Sequence, residues 1–223
     1  MPNVINPGRH IRDGAMTEDI LAVLPARRGH FLLESGYHAD TWFSLDELFA
    51  NPAAVAPLVA TLAERLRPHG PRAVCGPLIG GAFLAQALAT RLGVRFFYTE
   101  PVIVPQQTTL FTAQYRLSLA SRRAVRGEPI AVVDDAISAG SSVRATIDSL
   151  ATAGASTVVV GAFLTLGDAA LTHFSEQGVP VETLQRRRFE LWEPNECPLC
   201  REGTILEDPH ELPPGMRHND VQS

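Results

Sequence analysis

No stretch of this 223-residue sequence is long and apolar enough to span a bilayer. Its longest apolar run, Val158 to Leu166, suits a buried strand instead. The N-terminus lacks the charged-then-apolar order of a secretion signal. Cysteine is scarce: three residues, an odd number, do not suggest a disulfide framework. A cytoplasmic location with no membrane contact is the expectation. Positive charge is also in deficit. A net charge of −5 and a pI near 5.8 argue against a nucleic-acid-binding surface. The short run Arg186-Arg187-Arg188 follows a strand-like stretch and reads as a solvated edge. There are no internal repeats.

What is present is a strand–helix alternation. At 45% hydrophobic the chain can bury the core of one domain, with an appended hood or tail. Asp13 to Leu24 reads as a short helix, and His30–Leu33 and Thr41–Leu45 as strands around a Ser35-Gly36 turn. Asn51-Pro52 opens a helix with Val55, Leu58, Val59, Leu62 and Leu66 on one side. Further strands are expected at 73–75, 94–98, 129–133, 157–166 and 181–184, with helices at 82–92 and 142–153. Residues 99 to 115 read as polar and irregular, and the tail after Asp208 as mobile. This spacing predicts an α/β fold: a central, mostly parallel sheet with right-handed crossovers, flanked by helices.

Residues 130–142, Ile-Ala-Val-Val-Asp-Asp-Ala-Ile-Ser-Ala-Gly-Ser-Ser, carry the chemistry. An apolar strand ends in two carboxylates, a small hydroxyl-rich loop follows, and a helix opens. Strand ends and helix N-termini of α/β sheets hold anionic ligands. The carboxylates would repel phosphate. They suit ribose hydroxyls, a bound Mg²⁺, or positive charge developing on a sugar. A second loop, Gly76-Pro77-Leu78-Ile79-Gly80-Gly81, also joins a strand to a helix, and its glycines permit close backbone approach to a ligand.

The 130–142 string resembles the phosphoribosyl-pyrophosphate (PRPP) motif of type I phosphoribosyltransferases. His30-Phe31-Leu32-Leu33-Glu34-Ser35-Gly36 further resembles the Phe-x-Leu-x-Ser-Gly stretch of orotate phosphoribosyltransferases. The resemblance covers about residues 15 to 185. It implies a type I phosphoribosyltransferase fold with a small N-terminal hood. Residues 1–50 would form the hood, 51–190 the core and 191–223 a C-terminal extension. It implies a glycosyltransferase of nucleotide metabolism, moving the 5-phosphoribosyl group of PRPP to a ring nitrogen of a base with release of pyrophosphate. Asp134 and Asp135 would be catalytic, meeting the ribose and stabilising positive charge. Ala136, Ile137, Ser138, Ala139, Gly140, Ser141 and Ser142 would bind the 5′-phosphate, and Gly76 to Gly81 (Pro77, Leu78, Ile79 and Gly80 between them) the pyrophosphate. Residues 99 to 118 fall where the family keeps a closing loop; Arg116, the sole cation between Arg95 and Arg122, would meet the leaving group. Mg²⁺ would arrive with PRPP, the second substrate would be an unidentified base, and the chain would form a homodimer. The alternative is a non-catalytic PRPP or nucleotide sensor on the same fold.

Some positions depart from the orotate pattern. Where those enzymes carry an Arg-Lys pair, and a Lys and His-Gly in the loop, this chain has Tyr98-Thr99-Glu100-Pro101 and Gln106-Gln107. Where they place an Arg for the orotate carboxylate, it reads Leu164 to Asp168. The acceptor is left open. Finally, Cys197-Pro198-Leu199-Cys200 has the spacing of half a zinc knuckle. Zinc at Cys197 and Cys200 needs two more ligands, with His210 or a symmetry mate as candidates. The other reading is a reduced dithiol near the chain end.

Overall fold

The computed structural model describes residues 26–33, 35–43, 45–102, 114–188 and 190–209. Two sheets are present among them. The larger has six strands in the order β5-β4-β3-β6-β7-β8: Tyr115–Arg116, Arg95–Pro101, Ala73–Pro77, Pro129–Ile137, Ser156–Leu166 and Val181–Arg187. All neighbours are parallel except β4 and β5. The smaller sheet joins β1 (Ala26–Leu32), β2 (His38–Phe43) and β9 (Leu191–Trp192), all antiparallel. No helix among the described residues is long and apolar enough to cross a membrane.

Strand β6 shows why the larger sheet is covered on both faces. Its side chains alternate direction. Ala131 and Val133 enter one apolar cluster with helices α2 (Pro52–Leu66) and α3 (Gly80–Leu92); Ile130 and Val132 enter another with α5 (Ser141–Thr152) and α6 (Ala169–Glu176). Helix α2 starts where expected: the Asn51 side chain accepts from the Ala54 N–H at 3.3 Å, and Pro52 occupies the first turn. It buries Val55, Val59, Leu62 and Leu66 against the sheet. Very short helices, α1 (Asp46–Phe49), α4 (Leu119–Ala124) and α7 (Pro198–Arg201), complete the set described here.

Several boundaries differ from the sequence reading. Strand β6 runs on to Ile137, so Asp134 and Asp135 belong to the strand rather than to the loop after it. Helix α3 begins at Gly80, two residues early. Strand β4 reaches Pro101, and Tyr115–Arg116 pairs with it, so both ends of the expected irregular segment are extended chain. Strand β8 includes Arg186 and Arg187, which lie exposed on the edge strand. The expected Asp13–Leu24 helix, residues 103–113 and the tail from 210 lie outside the described residues.

Candidate active site

Strands β3 and β6 are adjacent and parallel, so their carboxyl ends and the loops that follow share one rim of the sheet. A cavity of about 770 Å³ opens there. Its lining includes Pro77 to Gly80, most of the 134–142 segment, and Ser35, Thr41 and Trp42 of the β1–β2 hairpin. Crevices at the carboxyl end of parallel strands are where α/β sheets bind ligands.

The two carboxylates have different surroundings. Asp134 is 7% exposed; its Oδ2 accepts from the Ser142 hydroxyl at 2.8 Å, and its Oδ1 accepts from the Asp135 N–H at 3.1 Å. Asp135 is half-buried, and its Oδ1 accepts from the Ala136 N–H at 2.7 Å. Both line the cavity, and among the described residues they are the only charged side chains that do.

The loop after β6 folds back through Gly140, whose φ of 78° is left-handed and favours glycine. The turn brings Ser138, Ser141 and Ser142 to the cavity wall. Ser141 opens helix α5, and its Oγ is buried with no hydrogen-bond partner. Ser35, also in the lining, has its Oγ buried and without a partner among the described residues in the same way. Both residues line the cavity, and buried hydroxyls normally have partners, so a side-chain rotation at either would let a polar ligand complete the bonding.

Not every expected site residue faces the cavity. Ala139 is 1% exposed and lies behind the loop. Gly76 and Gly81 hold the strand and helix together: a Cβ on Gly76 would lie 2.0 Å from the Gly81 carbonyl oxygen, and one on Gly81 2.7 Å from Asp134 Oδ1. Gly80 does face the cavity, and a Cβ there would meet Asp135 Oδ2 at 2.1 Å. Arg116 is exposed on β5, in register with Glu100, and does not line the cavity. Thr99 is buried, its hydroxyl 2.7 Å from that of Thr146, and it does not face the cavity either. Leu166 does. The sequence contains no lysine, and residues 102–114 contain no arginine or histidine.

The C-terminal cysteines lie elsewhere. Cys197 and Cys200 meet His30 and His38 of the hairpin; the sequence pattern marked His30 only as a strand position and did not single out His38. Burial, and then the neighbouring His30, hold the His38 imidazole below its usual pKa and favour its neutral form. Cys75 is not part of this group: it is buried in β3, and burial pushes its thiol up to about 12.

Comparison with known proteins agrees with this geometry. Residues 44–179 match the model of the phosphoribosyl transferase domain. The chain is 30% identical over 182 residues to the orotate phosphoribosyltransferase of Caldanaerobacter subterraneus subsp. tengcongensis, covering 82% of this chain and 88% of the relative. It is 32% identical over 184 residues to that of Thermotoga petrophila, covering 81% and 89%. In structure it is similar to the adenine phosphoribosyltransferase of Thermoanaerobacter pseudethanolicus (TM-score 0.61, 17% identity, 76% of this chain and 99% of that one). It is also similar to the orotate phosphoribosyltransferase of Mycobacterium tuberculosis (TM-score 0.55, 20% identity, 78% and 95%).

Proposed function

We propose, because this chain belongs to the phosphoribosyl transferase domain family, that its cavity binds PRPP and transfers the 5-phosphoribosyl group to a ring nitrogen of a base. The protein is orotate phosphoribosyltransferase-like, a pentosyl-transferring enzyme. In the reaction the acceptor nitrogen forms a bond to C1′ while the bond from C1′ to the pyrophosphate oxygen breaks. The electron pair of that bond leaves with pyrophosphate, and the proton of the acceptor N–H is released to solvent.

The observation that carries this reading is the 134–142 segment. A fixed carboxylate, a more open carboxylate and an unpartnered Ser141 hydroxyl at the start of α5 follow one another along the cavity wall. The Ser138–Ser142 loop would take the 5′-phosphate. Its backbone N–H groups and the start of α5 supply positive potential without a side-chain cation. Asp135 would meet the ribose hydroxyls and stabilise positive charge at C1′ in an oxocarbenium-like transition state. Asp134, held by Ser142 and the Asp135 N–H, positions that segment. The Pro77–Gly80 stretch would receive the pyrophosphate.

The donor set also fits Mg²⁺. Mg²⁺ favours one or two carboxylates together with substrate phosphates, and Asp134 and Asp135 are the carboxylates on this wall. When bound with PRPP the ion would offset the charge of the leaving pyrophosphate.

For the acceptor, the relatives named orotate phosphoribosyltransferase support orotate as the first base to test. The cavity wall favours an acceptor without a carboxylate, since its charged side chains among the described residues are both acidic. A homodimer in the cytoplasm completes the proposal; the stacked Phe96 and Tyr98, each more than a third exposed, offer apolar surface for a second copy. A PRPP or nucleotide sensor is the second reading, favoured by the absence of any basic residue between 102 and 114. Incubation with PRPP, Mg²⁺ and a panel of bases, following pyrophosphate, separates the two. Transfer releases pyrophosphate in a base-dependent way; a sensor binds PRPP and releases none.

A further inference from the structure

Away from the cavity, four metal-ligating side chains from opposite ends of the described chain converge. His30 lies on β1 and His38 on β2; Cys197 precedes α7 and Cys200 lies within it. Their ligand atoms all fall within 4.8 Å of one another. His30 Nε2 is 3.0 Å from His38 Nδ1, 3.4 Å from Cys197 Sγ and 3.7 Å from Cys200 Sγ; His38 Nδ1 is 3.3 Å from Cys200 Sγ. A tetrahedral zinc ion, with nitrogens at about 2.0–2.1 Å and sulfurs at about 2.3 Å, sets its ligands roughly 3.3–3.8 Å apart. The 3.3, 3.4 and 3.7 Å separations fall in that range, the 3.0 Å between the two imidazoles is shorter, and the remaining pairs lie within 4.8 Å.

Hydrogen bonding alone does not account for the cluster. His30 Nδ1 lies 2.9 Å from the Thr204 carbonyl oxygen, which can only accept, so Nδ1 carries the proton. Three groups then crowd the other ring nitrogen, Nε2. One ring nitrogen makes one directed hydrogen bond, not three. A single cation at the centre takes a lone pair from each of the four groups. The Nδ1–H to carbonyl bond is the outer support that metal-bound imidazoles use. His30, His38 and Cys197 are 1%, 4% and 1% exposed, while Cys200 is exposed and gives an ion a way in.

We propose that His30, His38, Cys197 and Cys200 bind one Zn²⁺ ion. Two imidazoles and two thiolates in tetrahedral array suit zinc. Four protein ligands leave no open position, so the site is structural. The ion fastens the C-terminal segment to the hairpin. Backbone bonds already start this join: Glu207 N–H donates to the His30 carbonyl at 2.8 Å, and Leu32 N–H to the Glu207 carbonyl at 2.9 Å. The same hairpin carries Ser35, Thr41 and Trp42 to the cavity, so the metal stiffens that part of its lining. The metal proposal itself does not depend on the proposed reaction.

The test is a metal count on the full chain, made without a polyhistidine tag and exchanged into chelator-free buffer. Elemental analysis and native mass spectrometry should give about one zinc per chain. Cys75→Ala should keep it, and Cys200→Ser and His38→Gln should lower it to under about a tenth of an equivalent. If those variants do not fold, wild-type protein stripped by chelation and titrated with Co²⁺ should develop the strong visible absorption of tetrahedral, thiolate-bound cobalt at one equivalent. Zinc content unchanged in both ligand variants would overturn the proposal. So would a folded, metal-free wild type that takes up no Co²⁺, or one in which Cys197 and Cys200 are joined as a disulfide.

Discussion

At Asp134 and Asp135, adjacent carboxylates are separated by their surroundings. Asp134 is buried and accepts from Ser142 and the Asp135 N–H, whereas Asp135 is open to the cavity beside Gly80. Asp135→Asn should therefore lower kcat by about 10²–10³ with little change in thermal midpoint. Asp134→Asn should lower both, because it weakens charge-assisted bonds worth about 1.5–3 kcal/mol. Kinetics and a melting curve on each variant check this; an Asp134→Asn protein as stable as wild type would refute the positioning role. Ser141→Ala isolates the phosphate contact. Its hydroxyl has no partner among the described residues, so its loss should not reduce stability. Its loss should weaken PRPP binding by about tenfold or more, since a bond to a charged group is worth about 1.5–3 kcal/mol. Calorimetric titration with PRPP reads it, and an unchanged Kd would move the phosphate elsewhere. Gly140 is a poor probe of the same contact. Its φ is 78°, which strains any side chain there, and a Cβ would lie 3.3 Å from that of Ala170 in the core.

Among the elements, the β3–loop–α3 unit shows what a glycine-rich loop conceals. Its glycines suggested backbone approach to a ligand. Gly76 instead lets backbone approach backbone, and Gly81 makes room for Pro77 and the Asp134 carboxylate, uses that also require a missing Cβ. Sequence cannot separate these uses, because the residue type is the same. Gly76→Ala should be a folding defect: its Cβ would lie 2.0 Å from one carbonyl oxygen and 2.9 Å from another, both backbone. A loss of roughly 3 kcal/mol or more in urea unfolding is expected, and a loss under about 1 kcal/mol would contradict this packing account. The strands and long helices were legible because apolar periodicity is strong there, as in α2 and β7. The end of β6 was not, because Asp134 and Asp135 follow Val133 there and break the apolar pattern. Helices α4 and α6, of six and eight residues, are too short to display a period.

Over the whole molecule, the hardest feature to read was the meeting of the hairpin with the C-terminal segment. His30 and Cys197 are 167 positions apart, and nothing local in either stretch names the other. The C-x-x-C spacing showed half of a site, and only the fold supplied His30 and His38. The charge balance of the cavity is a second whole-molecule property. An orotate carboxylate there would face acidic groups and no cation among the described residues, and a buried carboxylate without a partner costs several kcal/mol. Orotate kcat/KM should accordingly lie about 100-fold or more below that of an orotate enzyme assayed beside it. Comparable values would show that another part of the chain, or a second copy, supplies the positive charge.

The central claim is that the 134–142 segment and its cavity turn over PRPP. Pyrophosphate release from PRPP and Mg²⁺ tests it most directly, measured across a panel of bases for the wild type and for the Asp134→Asn, Asp135→Asn double variant. The account predicts base-dependent release by the wild type and a loss of at least about 10³ in the folded double variant. Release by the double variant at the wild-type rate would contradict it.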